Sequence, residues 1–263
     1  MQPGVSCVLR ATYPDIVRPS ISAVERRDLA RSLVTDFAGH CRLDAALLFG
    51  SSARGDAQRN SDLDLLLVLN SDAELARLRA CMRERRRSGD LRFVSIAAHS
   101  WRSLEVLREE DWSFAHHLAS EGLPLLDVHD TLISRLAPQR PPDAMIRAEL
   151  TSRCRELKRY DDLSRFAGDY FFPLLNIYVA SKQLIMLANI LSGVSEFRRR
   201  PAFAVAQGLF PQHADAVAHL LSLAPLYDIG AGRGVKSVPP SVADEHFVAT
   251  SLQAVREFVD GVV

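Results

Sequence analysis

The chain is short of cysteine, has no excess of either charge and carries no long uninterrupted apolar run, and each shortage excludes a class of protein. Cys7, Cys41, Cys81 and Cys154 are scattered with no C-x-x-C spacing, so neither a zinc site nor a disulfide framework is expected and the thiols should be reduced. Lys plus Arg and Asp plus Glu number 32 each, a balance unlike the basic footprint of proteins that wrap long nucleic acid, so no such partner is expected. The basic clusters at Arg83 to Arg87 and Arg198 to Arg200 read as solvated helix ends. No apolar run approaches about 18 residues, which argues against a membrane partner. Met1 to Ser20 contains Pro3, Pro14 and Pro19 and lacks an apolar signal core, so the expected location is cytoplasmic. The eight histidines show no metal-ligand spacing; His116, His117 and His246 read as surface or structural residues.

What is present is ample apolar content, 48% over 263 residues, enough for one large domain or two small ones. After an N-terminal arm (residues 1–21), apolar spacing predicts a helix over 22–39, capped by Ser20 or Ser22. A strand over 45–49 follows, then one from about Leu63, a helix over 72–87, a strand over 91–98, helices from Ser100 and over 113–121, and a short strand over 123–127. Alternation of this kind implies a small mixed α/β domain over 22–136. Pro138, Pro141 and Pro142 cannot continue a helix, so residues 137–142 read as a linker. Beyond it, 143–263 is patterned as an all-α bundle, with helices over 143–166, 170–192, 202–209, 213–223 and 242–262.

The chemistry is concentrated in Leu47 to Leu69, LLFGSSARGDAQRNSDLDLLLVL. Side chains alternate across a strand, so Asp62 and Asp64 share one face while Leu63, Leu65 and Leu67 take the other. Two converging carboxylates suit Mg²⁺ or Mn²⁺, hard ions that complete their shells with water and substrate phosphates. Gly50 ends the preceding strand and allows close backbone approach to a ligand. Ser51 reads as an N-cap, and the Ser51 or Ser52 hydroxyl with the turn's N–H groups can hold phosphate oxygens. Arg54 is one turn further on, within reach of the same anion. Taken alone, Ser-Asp-X-Asp is also ordinary turn chemistry.

These residues resemble the DNA polymerase β-like nucleotidyltransferase superfamily, whose signature is Gly-Ser, a gap of about ten residues, then Asp-X-Asp. Here it stands as Gly50-Ser51 and Asp62-Leu63-Asp64, with Phe49, Arg54-Gly55 and Ser61 as matching flanks. The look is that of the minimal and antibiotic-type members rather than of the polymerases. The resemblance implies a metal-dependent transfer of a nucleoside monophosphate, AMP from ATP as the first expectation, to a small-molecule or protein hydroxyl with release of pyrophosphate. Asp62 and Asp64 are then the metal ligands, Gly50, Ser51, Ser52 and Ser61 hold the nucleotide, and Arg54 assists the leaving group.

Members with full two-metal chemistry place a third Asp on a following strand, and the aligned position here is Ser95. A hydroxyl is a poor substitute for a bridging carboxylate. Asp90 or His99 at the ends of that strand, a carboxylate of the helical half such as Asp161, Asp162 or Asp169, or two aspartates alone are the open alternatives. In related enzymes a helical-domain lysine contacts the triphosphate and an aromatic ring stacks on the base, which points to Lys182 and Tyr178; the plain alternatives are a surface lysine and core packing. The Gly-rich stretch from Gly230 to Lys236 lacks the strand-to-helix context of a phosphate fingerprint and reads as a connection, with Arg233 or Lys236 closing over substrate as the sharper alternative. Rival functions are a nucleotide-binding or antitoxin-like interaction module that has lost turnover, and an RNA-modifying enzyme, which the neutral charge disfavours.

Overall fold

The computed structural model describes residues 22–57, 61–89, 91, 93–137, 140–230, 242 and 244–263. The N-terminal arm, Asp90, and Arg233 with Lys236 lie outside the described residues. Two compact units divide between Pro141 and Pro142.

The first unit is a small mixed sheet flanked by helices. Helix α1 (Ala23–His40) starts at a capping box in which Glu25 N–H donates to Ser22 Oγ and Ser22 N–H donates to Glu25 Oε2. It leads through strand β1 (Leu43–Phe49) into the short helix α2 (Gly50–Arg54), and the chain returns in strand β2 (Leu63–Leu69). Helix α3 (Asp72–Ser88) is capped by Ser71 and stopped by Gly89. Strand β3 (Val94–Ser100), helices α4 (Trp101–Glu110) and α5 (Trp112–Glu121), strand β4 (Leu123–Asp127) and helix α6 (Leu132–Leu136) complete the unit. The strand expected over 91–98 begins three residues later: Val94 N–H closes a turn onto the Leu91 carbonyl, and pairing with β2 starts at Leu63 opposite Val94.

The sheet order is β3-β2-β1-β4, with β2 and β3 parallel and the other pairs antiparallel. Alternation sorts the central strands between two cores. Leu67 and Leu69 of β2 pack with α1 and α3 through Phe37, Leu75, Leu78 and Met82. Leu66 and Val68 pack on the other face with Leu104, Leu118, Leu132 and Leu136 from α4, α5 and α6. Asp64 continues the Leu66–Val68 row, where that core runs out at the strand's beginning.

The second unit is all-helical: α7 (Asp143–Glu156), α8 (Phe171–Leu191), α9 (Arg199–Leu209), α10 (Ala214–Ser222), α11 (Ala224–Gly230) and α12 (Glu245–Val262). The single helix expected over 143–166 stops as an α-helix at Glu156 and breaks into 3₁₀ turns, ending in left-handed backbone at Ala167 and Gly168. Helix α8 is long and apolar enough to cross a membrane by those measures alone, yet 56% of its most apolar window is buried. It is the central helix here, packed by α7, α9, α11 and α12.

Candidate active site

The Gly-Ser turn and the Asp-X-Asp strand meet at one end of the sheet. Phe49 pairs with Asp64 across the antiparallel β1–β2 ladder, which sets the turn after Phe49 beside the Asp64 carboxylate. Gly50 adopts φ +68°, and a Cβ built there would stand 2.8 Å from Asp64 Oδ2. Glycine thus serves twice, by accepting left-handed backbone and by leaving room for the carboxylate over the turn. Ser51 is not the N-cap: helix α2 begins at Gly50, and the capping position is Phe49, whose side chain cannot accept. The first-turn N–H groups of α2 therefore carry no side-chain cap, and Ser51 is half-buried in that turn.

The backbone at Ser61, Asp62 and Leu63, where the chain enters β2, is tied down from three sides. Ser52, fully buried, donates its hydroxyl to the Asp62 carbonyl at 3.4 Å. Arg26 of α1, only 4% exposed, donates to the Ser61 carbonyl at 3.0 Å. Leu63 N–H donates to the Phe93 carbonyl at 2.8 Å. Ser52 and Ser61 thus act through backbone at Asp62 and Ser61, fixing where the carboxylates start. Ser61, Asp62 and Asp64 are each half-buried.

Arg54 is placed differently from the expectation of a side chain aimed at the anion. Its guanidinium is paired with Glu121 Oε2 at 2.5 Å and Asp56 Oδ2 at 3.3 Å. Glu121 also meets His117 Nε2 at 3.0 Å, and the His117 ring packs edge-on against Phe49 and Phe114. Burial pushes the Glu121 carboxyl up, but the hydrogen bonds from His117 and Arg54 outweigh it and hold the group below its ordinary value. His116, beside it, is lowered by burial and by the neighbouring His117. Sequence reasoning missed Glu121 because its partner lies 67 residues away. The i,i+4 spacing of His117 and Glu121 on one helix was the only local signal.

Ser95 lies in register with Asp64 across the parallel β2–β3 pair, on the same face. His99 does not reach the site: it pairs with Val68, four residues along the strand from Ser95, a displacement of about 13 Å. Its Nδ1 meets Ser103 Oγ at 3.3 Å instead. In the helical unit Asp161 pairs with Arg256, Asp162 accepts from Ser164 N–H and Asp169 accepts from Phe171 N–H. Among the described residues no group of three His, Cys, Asp or Glu side chains is arranged to hold a metal. Two carboxylates at the head of one strand, one of them lying over a cleared glycine, are hard oxygen donors of the kind Mg²⁺ takes alongside its waters, and too few for an all-protein cage.

Tyr178 and Lys182 sit on α8 in the other unit. Tyr178 is fully buried, stacked on Phe203 at 6.1 Å and packed by Tyr227 at 5.8 Å, so it has no ring face open to a base and the stacking expectation fails. Burial pushes its phenol up to about 12 against the pull of the Arg199 guanidinium. Lys182, one turn on, is half-buried.

Residues 31–115 match the model of the nucleotidyltransferase domain family, a span that runs from α1 into α5 and includes Gly50, Ser51, Asp62 and Asp64. The match ends before His117 and Glu121. No curated protein matches the chain.

Proposed function

We propose, from the nucleotidyltransferase domain of the DNA polymerase β-like superfamily present at residues 31–115, that this protein transfers a nucleoside monophosphate from an NTP, ATP first, to a hydroxyl of a small molecule or a protein. One observation carries the reading: the Asp64 carboxylate lies directly over the Gly50 turn, 2.8 Å from where any larger residue would place its Cβ. That juxtaposition sets an acidic group where the α4–α6 core ends. Asp62 and Asp64 would hold the metal that accompanies the triphosphate. Bound there, Mg²⁺ or Mn²⁺ would draw charge from the α-phosphoryl group and offset the charge of departing pyrophosphate. The uncapped N–H groups after Phe49 and the Ser51 hydroxyl would donate to phosphate oxygens. Ser52 and Arg26 would hold the loop carrying the carboxylates, and Arg54, engaged by Glu121, would stiffen the turn rather than touch the leaving group.

Pyrophosphate release from each NTP, with Mg²⁺ or Mn²⁺ and a cell lysate as acceptor pool, tests this directly. Release that disappears in an Asp62→Ala, Asp64→Ala double variant is the expected result. Release unaffected by that change would remove the site.

The register of Ser95 with Asp64 favours a second reading, a nucleotide-binding module without turnover. Ser95→Asp separates the two. A transferase working with two carboxylates should gain metal affinity, read as a lower Mn²⁺ concentration for half-maximal release. A binding module should bind Mg-nucleotide in calorimetry and release no pyrophosphate with either residue.

A further inference from the structure

The two edges of the sheet are built differently. Strand β4 is five residues long, carries Pro124 and meets β1 with a register irregularity, all devices that discourage further pairing. Strand β3, at the other edge, is seven residues long, holds an unbroken register with β2 and contains no proline, lysine, arginine or carboxylate. Because Leu63 N–H donates to Phe93 O, the odd-numbered residues of β3 turn their backbone towards β2. Ile96 and Ala98 therefore turn N–H and C=O outward, and no strand pairs with them among the described residues. An edge of this length without protection is a template for an added strand.

The helix beside that edge supplies a charge preference. Leu75, Leu78 and Met82 seat α3 on Val94, Ile96 and Ala98. Arg85 pairs with Asp36 of α1, which fixes the flank of α3 that faces α1. Arg79, Arg83 and Arg86, spaced by four and three, lie on the opposite flank, over the β3 edge. Arg79 is near enough to His99 of β3 that its charge, after burial, helps to hold the imidazole below its ordinary value. All three arginines are exposed and have no ion-pair partner among the described residues.

We propose that the free edge of β3, flanked by Arg79, Arg83 and Arg86, is a docking site for an extended acidic segment of a partner protein, which adds as a fifth strand. Backbone pairing at Ile96 and Ala98 gives the affinity and the arginine flank selects the charge. A second copy of this chain is the wrong occupant. Antiparallel pairing of two β3 edges about a two-fold axis places both α3 helices on one face and sets the arginine flanks side by side. Single-stranded RNA fits less well, because neither β3 nor α3 carries a Phe, Tyr or Trp, and the one ring on them, His99, is engaged by Ser103. The surface is independent of turnover, and a docked strand would lie about 10 Å from β2 at the level of Ser95.

The probe is a fluorescent eight-residue peptide alternating valine and glutamate, titrated with the full chain and read by anisotropy. Two controls accompany it: the same peptide N-methylated at alternate residues, which cannot pair along one edge, and a valine–lysine version. The expected result is saturable binding of the acidic peptide that weakens about tenfold or more with either control and with an Arg79→Glu, Arg83→Glu, Arg86→Glu variant. The reversed flank should also improve binding of the lysine peptide. Equal binding of the N-methylated peptide would reduce the surface to a charge effect and overturn strand addition. No binding of the acidic peptide at millimolar concentration overturns the site. Tighter binding of a uridine oligonucleotide, or a concentration-dependent dimer that the acidic peptide fails to dissociate, overturns the assigned occupant.

Discussion

Two buried polar groups of the sheet unit, Ser52 and Arg26, hold the backbone that leads into β2, whereas those of the helical unit hold helices to themselves and to each other. Ser52 and Arg26 reach backbone carbonyls at Asp62 and Ser61, ten and 35 residues away, and so fix a segment with no ladder of its own. Ser181 donates to the Ile177 carbonyl one turn back and Asn189 to the Ala202 carbonyl on the next helix. The first pattern positions a turn against a strand with atomic closeness. The second ties polar side chains to the bundle's own backbone. Chemistry is therefore expected from the unit whose buried polarity serves its loops.

The strongest way to break that contrast is at Asp64. Asp64→Asn keeps the volume and removes the charge, and pyrophosphate release should fall about a thousandfold or more while the urea midpoint moves little. An equal fall from Asn189→Ala, in the bundle, would erase the distinction between the units. That bundle variant should instead cost about 1–3 kcal/mol of stability, since it removes the bond to the Ala202 carbonyl and empties a fully buried site.

A finer test sits within the turn. Gly50 and Gly55 both adopt positive φ, at +68° and +85°, but only Gly50 has a neighbour where a Cβ would go. Alanine at either should cost about 1–2 kcal/mol for left-handed backbone, read as similar drops in thermal midpoint. Only Gly50→Ala must also displace the Asp64 carboxylate, so only it should weaken metal-dependent nucleotide binding, by about tenfold or more. Matching losses from both variants would mean that the turn matters as backbone and not as the floor beneath a carboxylate.

The strand-turn-strand core was legible because its signals are local: apolar runs bounded by Gly50 and by Asp62, with Asp62 and Asp64 two positions apart. The same holds for the cap at Ser22, one of the two serines read as candidates ahead of the first helix. What escaped depends on distant partners. Arg54 read as an anion ligand because its sequence neighbours are the turn, while its real partner arrives from α5. Tyr178 and Lys182 shared a helical face by spacing, but spacing does not say which face is covered, and Phe203 and Tyr227 cover the tyrosine. The β3 boundary moved because Val94 closes a turn before pairing begins.

Glu121 joins the two ends of the sheet unit's argument and makes a pH prediction. Its carboxyl is held below the ordinary value of 4.5 in the folded state, despite the opposing effect of burial, by His117 and Arg54. The stabilisation is therefore complete above 4.5 and is lost as pH falls through the lower folded value. Glu121→Gln should cost about 1–2 kcal/mol at pH 7 in urea unfolding, and the gap to the wild type should narrow below about pH 4. A gap that stays constant down to pH 3 would assign Glu121 to packing alone.

The smallest effect is expected in the helical unit, at the fully buried phenol of Tyr178. Tyr178 Oη meets no partner at hydrogen-bonding geometry among the described residues, and burial pushes it up to about 12. Removing an unsatisfied buried hydroxyl while keeping the ring should change stability by about 1 kcal/mol or less, and the sign can favour the variant. Tyr178→Phe should also leave nucleotide binding unchanged, because a ring enclosed by Phe203 and Tyr227 has no face for a base. A several-fold loss of nucleotide affinity in that variant, at unchanged stability, would mean that the bundle opens to place Tyr178 against substrate, and the division of labour between the two units would have to be redrawn.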